Sequence, residues 1–493
     1  MLIYNSKTHK KEEFVPHTAK RVEMYVCGPT VYDEIHIGNA RTFLSFDLVR
    51  RYLKYKGYEV VFAQNLTDID DKIIARANEQ KRTAADVATS YSAAFIEQMH
   101  RFGILDPDIR PRATHEIPEM QHMITQLIDQ GHAYVAENGD VYFSVRSDHN
   151  YGEISGRNVD DMRAGERVEI STIKRDPLDF ALWKAAKPGE PSWESPWGAG
   201  RPGWHTECAA MIHRYFGDTI DIHAGGQDLM FPHHENENAQ ARCAWGNPLA
   251  KVWMHAGMLR VNGEKMSKSL GNFYTLKEVL DSYPADALRL LMLQTHYRSS
   301  LDFSFERLKG ACGTLNHLAE CIKNLEWAAR HADTSTPVGE DERALSNFVD
   351  TTESEFCTQM DDDFNSAAAL AALFALVVAA NKYLELHGEK PSAPVLLRTK
   401  DMLLELFGVL GIESIQDQSA HVELPQEVCA LAKTYAELTT DNVDEAAAAL
   451  LNARTQARKE KNYQLSDAIR DSLAAIGLVV EDTAQGTRLK RSE

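Results

Sequence analysis

The stretch Val22-Glu23-Met24-Tyr25-Val26-Cys27-Gly28-Pro29, with His36-Ile37-Gly38-Asn39 and the run from Ala40 to Lys56 after it, decides the fold. Val22 to Val26 is a short apolar run ending at a Gly-Pro pair, which reads as a buried strand. From Ala40 to Lys56 the period changes. Phe43, Phe46, Val49 and Leu53 recur at three- and four-residue intervals, which predicts a helix, with Gly57 at its C-terminal cap. Tyr58 to Ala63 is strand-like again. Strand, loop, helix and strand together make the unit from which parallel sheets are built.

His36-Ile37-Gly38-Asn39 falls in the loop between the first strand and its helix. A helix N-terminus attracts phosphate through its free N–H groups and its dipole. The glycine permits close approach, and the histidine can donate to a phosphate oxygen. The absence of a Gly-x-Gly-x-x-Gly pattern argues against a dinucleotide. A second candidate is Lys265-Met266-Ser267-Lys268-Ser269, in a polar loop that ends at Gly271-Asn272. Such a loop can close over a triphosphate and meet the charge that builds up as phosphate is displaced. Together they make a nucleoside triphosphate the expected ligand, with His36, Gly38, Asn39, Lys265 and Lys268 as the groups that would bind it. His36, Lys265 and Lys268 are the expected catalytic groups.

Working outward, 493 residues suggest roughly three domains. The chain is 44% hydrophobic and 25% charged, an ordinary globular balance. No apolar run of the roughly 20 residues that span a bilayer is apparent, and Met1 to Lys7 has no signal-peptide core, so a cytoplasmic protein without membrane contact is expected. Seven cysteines, an odd number, do not make a disulfide framework. The net charge of −19 disfavours general adhesion to nucleic acid. It leaves room for a local basic face: residues 454–493 hold eight basic side chains against six acidic ones.

The hairpin-like Ala133-Tyr134-Val135 and Asp140-Val141-Tyr142-Phe143, split by Asn138-Gly139, read as part of an insertion between two halves of the sheet domain. After about residue 305 the pattern turns helical and stays so. Ala367 to Asn381 and Gln464 to Ile476 are the clearest helices, and polar Glu413 to Val422 reads as a linker. The expected class is α/β: a Rossmann-type parallel-sheet catalytic domain with an inserted subdomain, then an all-α C-terminal region. The expected boundaries are 1–120 and 201–250 for the two halves of the catalytic domain and 121–200 for the insertion. A region around the lysine loop (251–310), a helical bundle (311–412) and a C-terminal domain with a local basic excess (420–493) follow.

The two phosphate motifs, in this order, resemble those of class I aminoacyl-tRNA synthetases. Cys27-Gly28-Pro29-Thr30-Val31-Tyr32-Asp33, Asn65-Leu66-Thr67-Asp68-Ile69-Asp70-Asp71-Lys72, Gly203-Trp204-His205-Thr206-Glu207-Cys208 and Phe231-Pro232-His233-His234-Glu235-Asn236-Glu237 are similar to the cysteinyl-tRNA synthetase family. The resemblance covers nearly the whole chain. It implies ATP-dependent activation of L-cysteine to the adenylate, then transfer to tRNA-Cys. It implies one Zn²⁺ per subunit held by Cys27, Cys208, His233 and Glu237, and Mg²⁺ accompanying ATP. Spacing alone leaves His233 and His234 open, because Glu237 shares a helix face with either. Two thiolates, an imidazole and a carboxylate are a reasonable zinc set.

A soft metal on the substrate thiolate would separate cysteine from serine, which a shaped pocket does only about 10²-fold. No editing domain is therefore expected. The resemblance also implies that Thr67 and Asp228 line the amino-acid site, that Trp204 walls the thiol pocket and that His223 lies near the substrate carboxylate. A monomer is expected over a dimer. The resemblance makes 251–310 the signature-loop and stem-contact region and 420–493 an anticodon-binding domain, with Tyr297-Arg298-Ser299-Ser300 a lesser candidate for touching the tRNA stem. Two departures stand out: Asn39 where the class often has histidine, and Leu489 in Gly486-Thr487-Arg488-Leu489 where the family closes on tryptophan. The alternatives are a cysteine:amino-sugar ligase of the mycothiol type, against which the long helical region speaks, and a non-catalytic tRNA- or zinc-binding relative.

Overall fold

The computed structural model describes residues 1–159, 173–267, 271–332, 339–387, 391–417, 424–483 and 486–491. Two compact units emerge. One comprises 1–315, 354–372 and 407–412, the other 316–353, 373–406 and 413–493.

The first unit is built on a four-stranded parallel sheet. Its strands are β1 (Arg21–Val26), β2 (Glu59–Gln64), β3 (Ile220–Gly226) and β4 (Ala250–Ala256), in the spatial order β4-β3-β1-β2. The inner strands are apolar because both faces are covered. Val22, Met24, Tyr25 and Val26 are buried, and so are all seven residues of β3. From β1 the chain first moves to one side, to β2, and later returns on the other, to β3. The crevice beyond the C-terminal ends of β1 and β3 is thus a topological switch point, where open parallel sheets place their ligands.

Helix α1 (Ile37–Tyr55) follows β1 and matches the predicted periodicity: Ala40, Phe43, Phe46, Val49, Tyr52 and Leu53 face the core. It starts three residues earlier than its apolar stripe because His36 caps it. Its middle is anchored by a buried ion pair, Asp47 to Arg289 at 2.9 Å. The insertion carries its own antiparallel sheet of Ala133–Val135, Val141–Phe143, Phe180–Ala185 and Gly200–Pro202. Past β4, Leu259–Val261 and Glu264–Lys265 form a short hairpin, and Leu301–Phe303 pairs in parallel with its first strand.

In the second unit, helices Glu427–Tyr435, Val443–Lys459 and Tyr463–Ala475 pack around Val428, Ala446, Leu450, Ile469 and Leu473. The chain then forms a feature the periodicity did not predict, an antiparallel pair of Leu478–Thr483 with Gly486–Arg491. Leu489 sits opposite Val480 and packs against that core. One expectation is corrected. Ser366–His387 has the length and apolar composition to cross a bilayer, although no such run was expected. Its Leu370, Leu373, Leu376, Ala380 and Leu384 are buried in the protein, as in a core helix.

Candidate active site

The phosphate end of the crevice is set by α1. His36 is extended (φ −96°, ψ 164°), and its Nδ1 accepts from the N–H of Gly38 at 3.1 Å and of Asn39 at 3.2 Å. Asn39 reciprocates, its Oδ1 accepting from His36 N at 3.2 Å, which completes a capping box. Because Nδ1 accepts, the neutral ring carries its proton on Nε2, the tautomer that can donate to a phosphate oxygen. Gly38 lies close under the lysine segment: a Cβ there would come within 2.8 Å of Met266 Cε, so that side chain would have to shift. The lysine segment therefore lies directly over the helix start. Lys265 ends the hairpin strand and is exposed. Asn272 ties the loop's limbs together, its Nδ2 donating to Lys265 O at 3.2 Å and its Oδ1 accepting from Ser267 N at 2.8 Å. Lys268 lies outside the described residues.

The thiol end lies at the C-terminal ends of β1 and β3. Cys27 follows β1 directly, and the next residue must be glycine, since a Cβ on Gly28 would fall 1.7 Å from Asn65 O. Cys208 sits in the first turn of α2 (Glu207–Phe216) and Glu237 in that of α3 (Glu235–Trp245). His233 comes from the helical turn just before α3. The Cys27 and Cys208 sulfurs are 3.7 Å apart, too far for a disulfide. A tetrahedral zinc with Zn–S bonds of about 2.3 Å separates two sulfurs by about 3.8 Å. His233 Nε2 lies 2.9 Å from Glu237 Oε1 and 3.9 Å from Cys208 Sγ.

The donors of Cys27, Cys208, His233 and Glu237 all lie within 4.8 Å of one another, and all four residues are buried. A second set, Cys27, His223, His234 and Glu237, meets the same criterion. The ambiguity between His233 and His234 thus persists in three dimensions. Access separates them: Cys27, Cys208 and His233 line the cavity, whereas His223 and His234 stack on each other, lie tilted against Trp253 and do not line it.

The surrounding charges fit a cation. Burial alone would lower His233, but Glu237 and Cys208 overcome it and hold the imidazole at about 10. Burial would raise Glu237, yet His233 and His223 keep it well below the usual carboxylate range. Burial pushes the Cys27 thiol well up, with Cys208 and Glu237 adding to the effect. Cys208 moves down: the bond from Cys27 and the neighbouring His233 outweigh its burial. His205, whose Nδ1 is 2.9 Å from His233 Nδ1, is held neutral, pulled down to about 3 by burial and by His233. His255, bonded to His234 at 2.9 Å, is likewise pulled down to about 3, chiefly by burial.

Between the two ends lies a cavity of about 330 Å³. Its lining brings together His36, Asn39, Thr67, Trp204, Asp228, Cys27, Cys208 and His233. Glu237 is fully buried beneath it. Trp204 stacks on the His233 ring, centroids 4.2 Å apart, and is 37% exposed, a wall rather than a core tryptophan. Thr67 Oγ1 donates to Glu207 Oε2 at 2.6 Å. His223 is fully buried, its Nε2 2.7 Å from Glu237 Oε2, and it does not itself line the cavity. Arg298 and Tyr297, the stem-contact candidates, both bond the buried Asp363, at 2.6 and 2.9 Å.

Sequence reasoning missed His205, Glu207 and His255 as parts of the site. The first two lie inside the Trp204–Cys208 motif, so proximity to a ligand was the available signal. His255 offered none, because only the pairing of β4 with β3 brings it near.

Residues 13–313 match the tRNA synthetases class I (C) catalytic domain, 355–414 the DALR domain and 440–488 the cysteinyl-tRNA ligase anticodon binding domain. The chain is 46% identical over 492 residues to the cysteine–tRNA ligase of Caldicellulosiruptor saccharolyticus, covering 100% of both chains. It is 46% identical over 489 residues to that of Halalkalibacterium halodurans, covering 99% of each. Among solved structures, Mycobacterium tuberculosis methionyl-tRNA synthetase with methionyl-adenylate superposes with a TM-score of 0.60 at 16% identity, over 79% of this chain and 89% of that one. The leucyl enzyme of Agrobacterium radiobacter, in a ternary complex with tRNA, gives 0.61 at 12% identity, over 84% and 87%. These two show the class I synthetase fold. With matches that run from the sheet domain through the anticodon domain, the chain belongs to the cysteine–tRNA ligase family of class I aminoacyl-tRNA synthetases.

Proposed function

We propose that the chain performs its family's reaction in this cavity, with the thiol end selecting L-cysteine and the α1 end activating it. The observation that carries this reading is the pairing, in one cavity of about 330 Å³, of a buried Cys/Cys/His cluster with a capped helix start. The substrate carboxylate attacks the α-phosphate of ATP in line and pyrophosphate leaves. His36 Nε2–H, the positive end of the α1 dipole, Lys265 and Lys268 stabilise the phosphate charge, and Gly38 keeps the approach open. Asn39 holds the cap. A terminal ribose hydroxyl of tRNA-Cys then attacks the carbonyl of the adenylate and AMP leaves. Positioning dominates, and no side chain forms a covalent intermediate.

Thr67 and Asp228 face the amino-acid moiety, and Asp228 has the charge to meet its ammonium group. Trp204 closes the thiol pocket. His223 orients Glu237 from below. Cys27, Cys208, His233 and Glu237 would hold one zinc ion, and the 3.7 Å sulfur separation fits it. Bound there, zinc supplies a soft Lewis acid that favours a thiolate over a hydroxyl. His205 fixes the His233 ring, as outer partners of metal-bound histidines do. Mg²⁺ accompanies ATP. The C-terminal unit, with its basic residues 454–461, binds the anticodon region of the tRNA. A match that extends to residue 488 favours tRNA over an amino sugar as acceptor.

The test combines metal analysis with amino-acid-dependent ATP–pyrophosphate exchange. Stoichiometric zinc, exchange with cysteine, and exchange with serine weaker by far more than about 10²-fold are expected. Metal-free protein that exchanges fully with cysteine and still rejects serine would end the zinc reading.

A further inference from the structure

Arg41 lies one turn into α1 and is 1% exposed. Its four hydrogen bonds all go to backbone carbonyls: Nη1 donates to Gly257 O and Met258 O, each at 2.9 Å, and Nη2 to His296 O at 3.3 Å and Ser299 O at 2.5 Å. Arg289, the other fully buried arginine near this helix, pairs with the carboxylate of Asp47 at 2.9 Å. A buried guanidinium held only by carbonyls is an expensive arrangement, tolerated where the donors are met in good geometry. Burial pulls its pKa to about 10, so it remains cationic at neutral pH.

The acceptors are not scattered. Gly257 and Met258 lead directly into strand Leu259–Val261, whose hairpin ends at Lys265. His296 and Ser299 lead into Leu301–Phe303, which pairs with that same strand. The junction is tight, for a Cβ on Gly257 would fall 2.5 Å from Arg298 O. The downstream limb of the lysine loop is fastened to α1 separately. Ile37 N donates to Tyr274 O at 3.1 Å, and Leu276 N to Ile35 O at 2.9 Å. Both limbs are therefore anchored to the first turns of the helix that also presents His36 and Gly38.

We infer that Arg41 is a positioning residue for adenylation: by clamping the segment that enters the lysine hairpin to the one that enters its parallel partner strand, it fixes Lys265 in register with the start of α1. It touches no substrate. The inference rests on the reading that Lys265 acts on the phosphates of ATP.

The experiment uses full-length, zinc-loaded enzyme carrying Arg41→Gln, Arg41→Lys, Lys265→Ala and the Arg41→Gln/Lys265→Ala double change. ATP–pyrophosphate exchange gives kcat and both KM values. Arg41→Gln should lower kcat about 10²-fold, the scale of a small misplacement of a catalytic group, with zinc content and KM for cysteine within about twofold of wild type. Arg41→Lys should recover only a small part, because one ammonium cannot reach four carbonyls. The double variant should be no more than about threefold slower than Lys265→Ala alone.

An unchanged kcat, fully additive losses, or a matching loss of zinc and cysteine affinity overturns the inference while leaving the role of Lys265 standing. Should Lys265→Ala itself exchange at the wild-type rate, the phosphate reading fails and the inference falls with it. If Arg41→Gln does not fold, Arg41→Lys carries the same cycle. Amide hydrogen exchange then completes the test, with faster exchange expected at 259–265 and none at 220–226. Faster exchange at both would make Arg41 a general stabiliser and refute the specific role.

Discussion

The two ends of the cavity are built on opposite principles. At the thiol end the candidate ligands Cys27, Cys208, His233 and Glu237 are all 5% exposed or less, and each is pinned by neighbours. At the other end the groups proposed to meet phosphate are His36, at the capped start of α1, and an exposed lysine. Telling sulfur from oxygen requires donors fixed in advance in a dry site, because discrimination is a difference in ground geometry. Handling a triphosphate requires charge that meets the substrate once it arrives. Disturbing the first end should damage selection and metal content, and disturbing the second should damage rate alone.

The largest effect expected at the thiol end is that of Cys208→Ser. Losing the sulfur whose pKa is already lowered should remove most of the zinc and cut kcat/KM for cysteine by about 10³-fold, about 4 kcal/mol. Binding of ATP, measured by calorimetry, should change less than about threefold. Equal losses on both sides would erase the contrast between the ends.

A second test of that end is pH. His233 is held protonated up to about 10, and the Cys27 thiol is pushed well above its ordinary value. Zinc must displace both protons, and any still on Cys208, so its affinity should rise with pH, at least about 100-fold per unit below the His233 transition. A chelator competition at two pH values reads this directly. A flat profile would mean that the ligands are not those named. Without metal the sign reverses. The raised pKa of His233 lends stability that is complete below about pH 6.5 and is lost as pH climbs through about 10.

At the other end, Lys265→Ala should slow exchange about 10²-fold, near 3 kcal/mol, with KM for cysteine unchanged. A rise in KM for cysteine would show that the two ends are not separable.

How much of this was legible beforehand follows from the range of the contacts. Helix α1 and strand β1 could be read because their apolar periods are local. The Cys27 and Cys208 sulfurs are 181 residues apart in sequence, and only the motif resemblance paired them. The same holds for Arg41 and Arg289: each reads as an ordinary helix arginine until the fold brings carbonyls from more than 180 residues away. The hairpin of Leu478–Thr483 with Gly486–Arg491 was missed because its strands are six residues each and largely polar, too short to reveal a period of two. The bond between His223 and Glu237 was likewise out of reach, because only the fold brings β3 against the start of α3.

The smallest expected effect concerns Asn39, which stands where the class often has histidine. The structure gives this side chain a definite role, since its Oδ1 accepts from His36 N and completes the cap. Capping in this way needs an acceptor, not a proton. Asn39→Ala should therefore cost about 1 kcal/mol of stability through the lost cap. Its effect on exchange should be a few-fold, because His36 keeps its bonds from the N–H groups of Gly38 and residue 39 and the helix dipole remains. Asn39→His restores an acceptor on a ring and should lie within about threefold of wild type in kcat. A gain of about tenfold in Asn39→His, appearing only below the histidine pKa, would show that a charged imidazole does at this position something the amide cannot. The phosphate end would then owe its rate to side-chain charge on α1 as well as to its backbone.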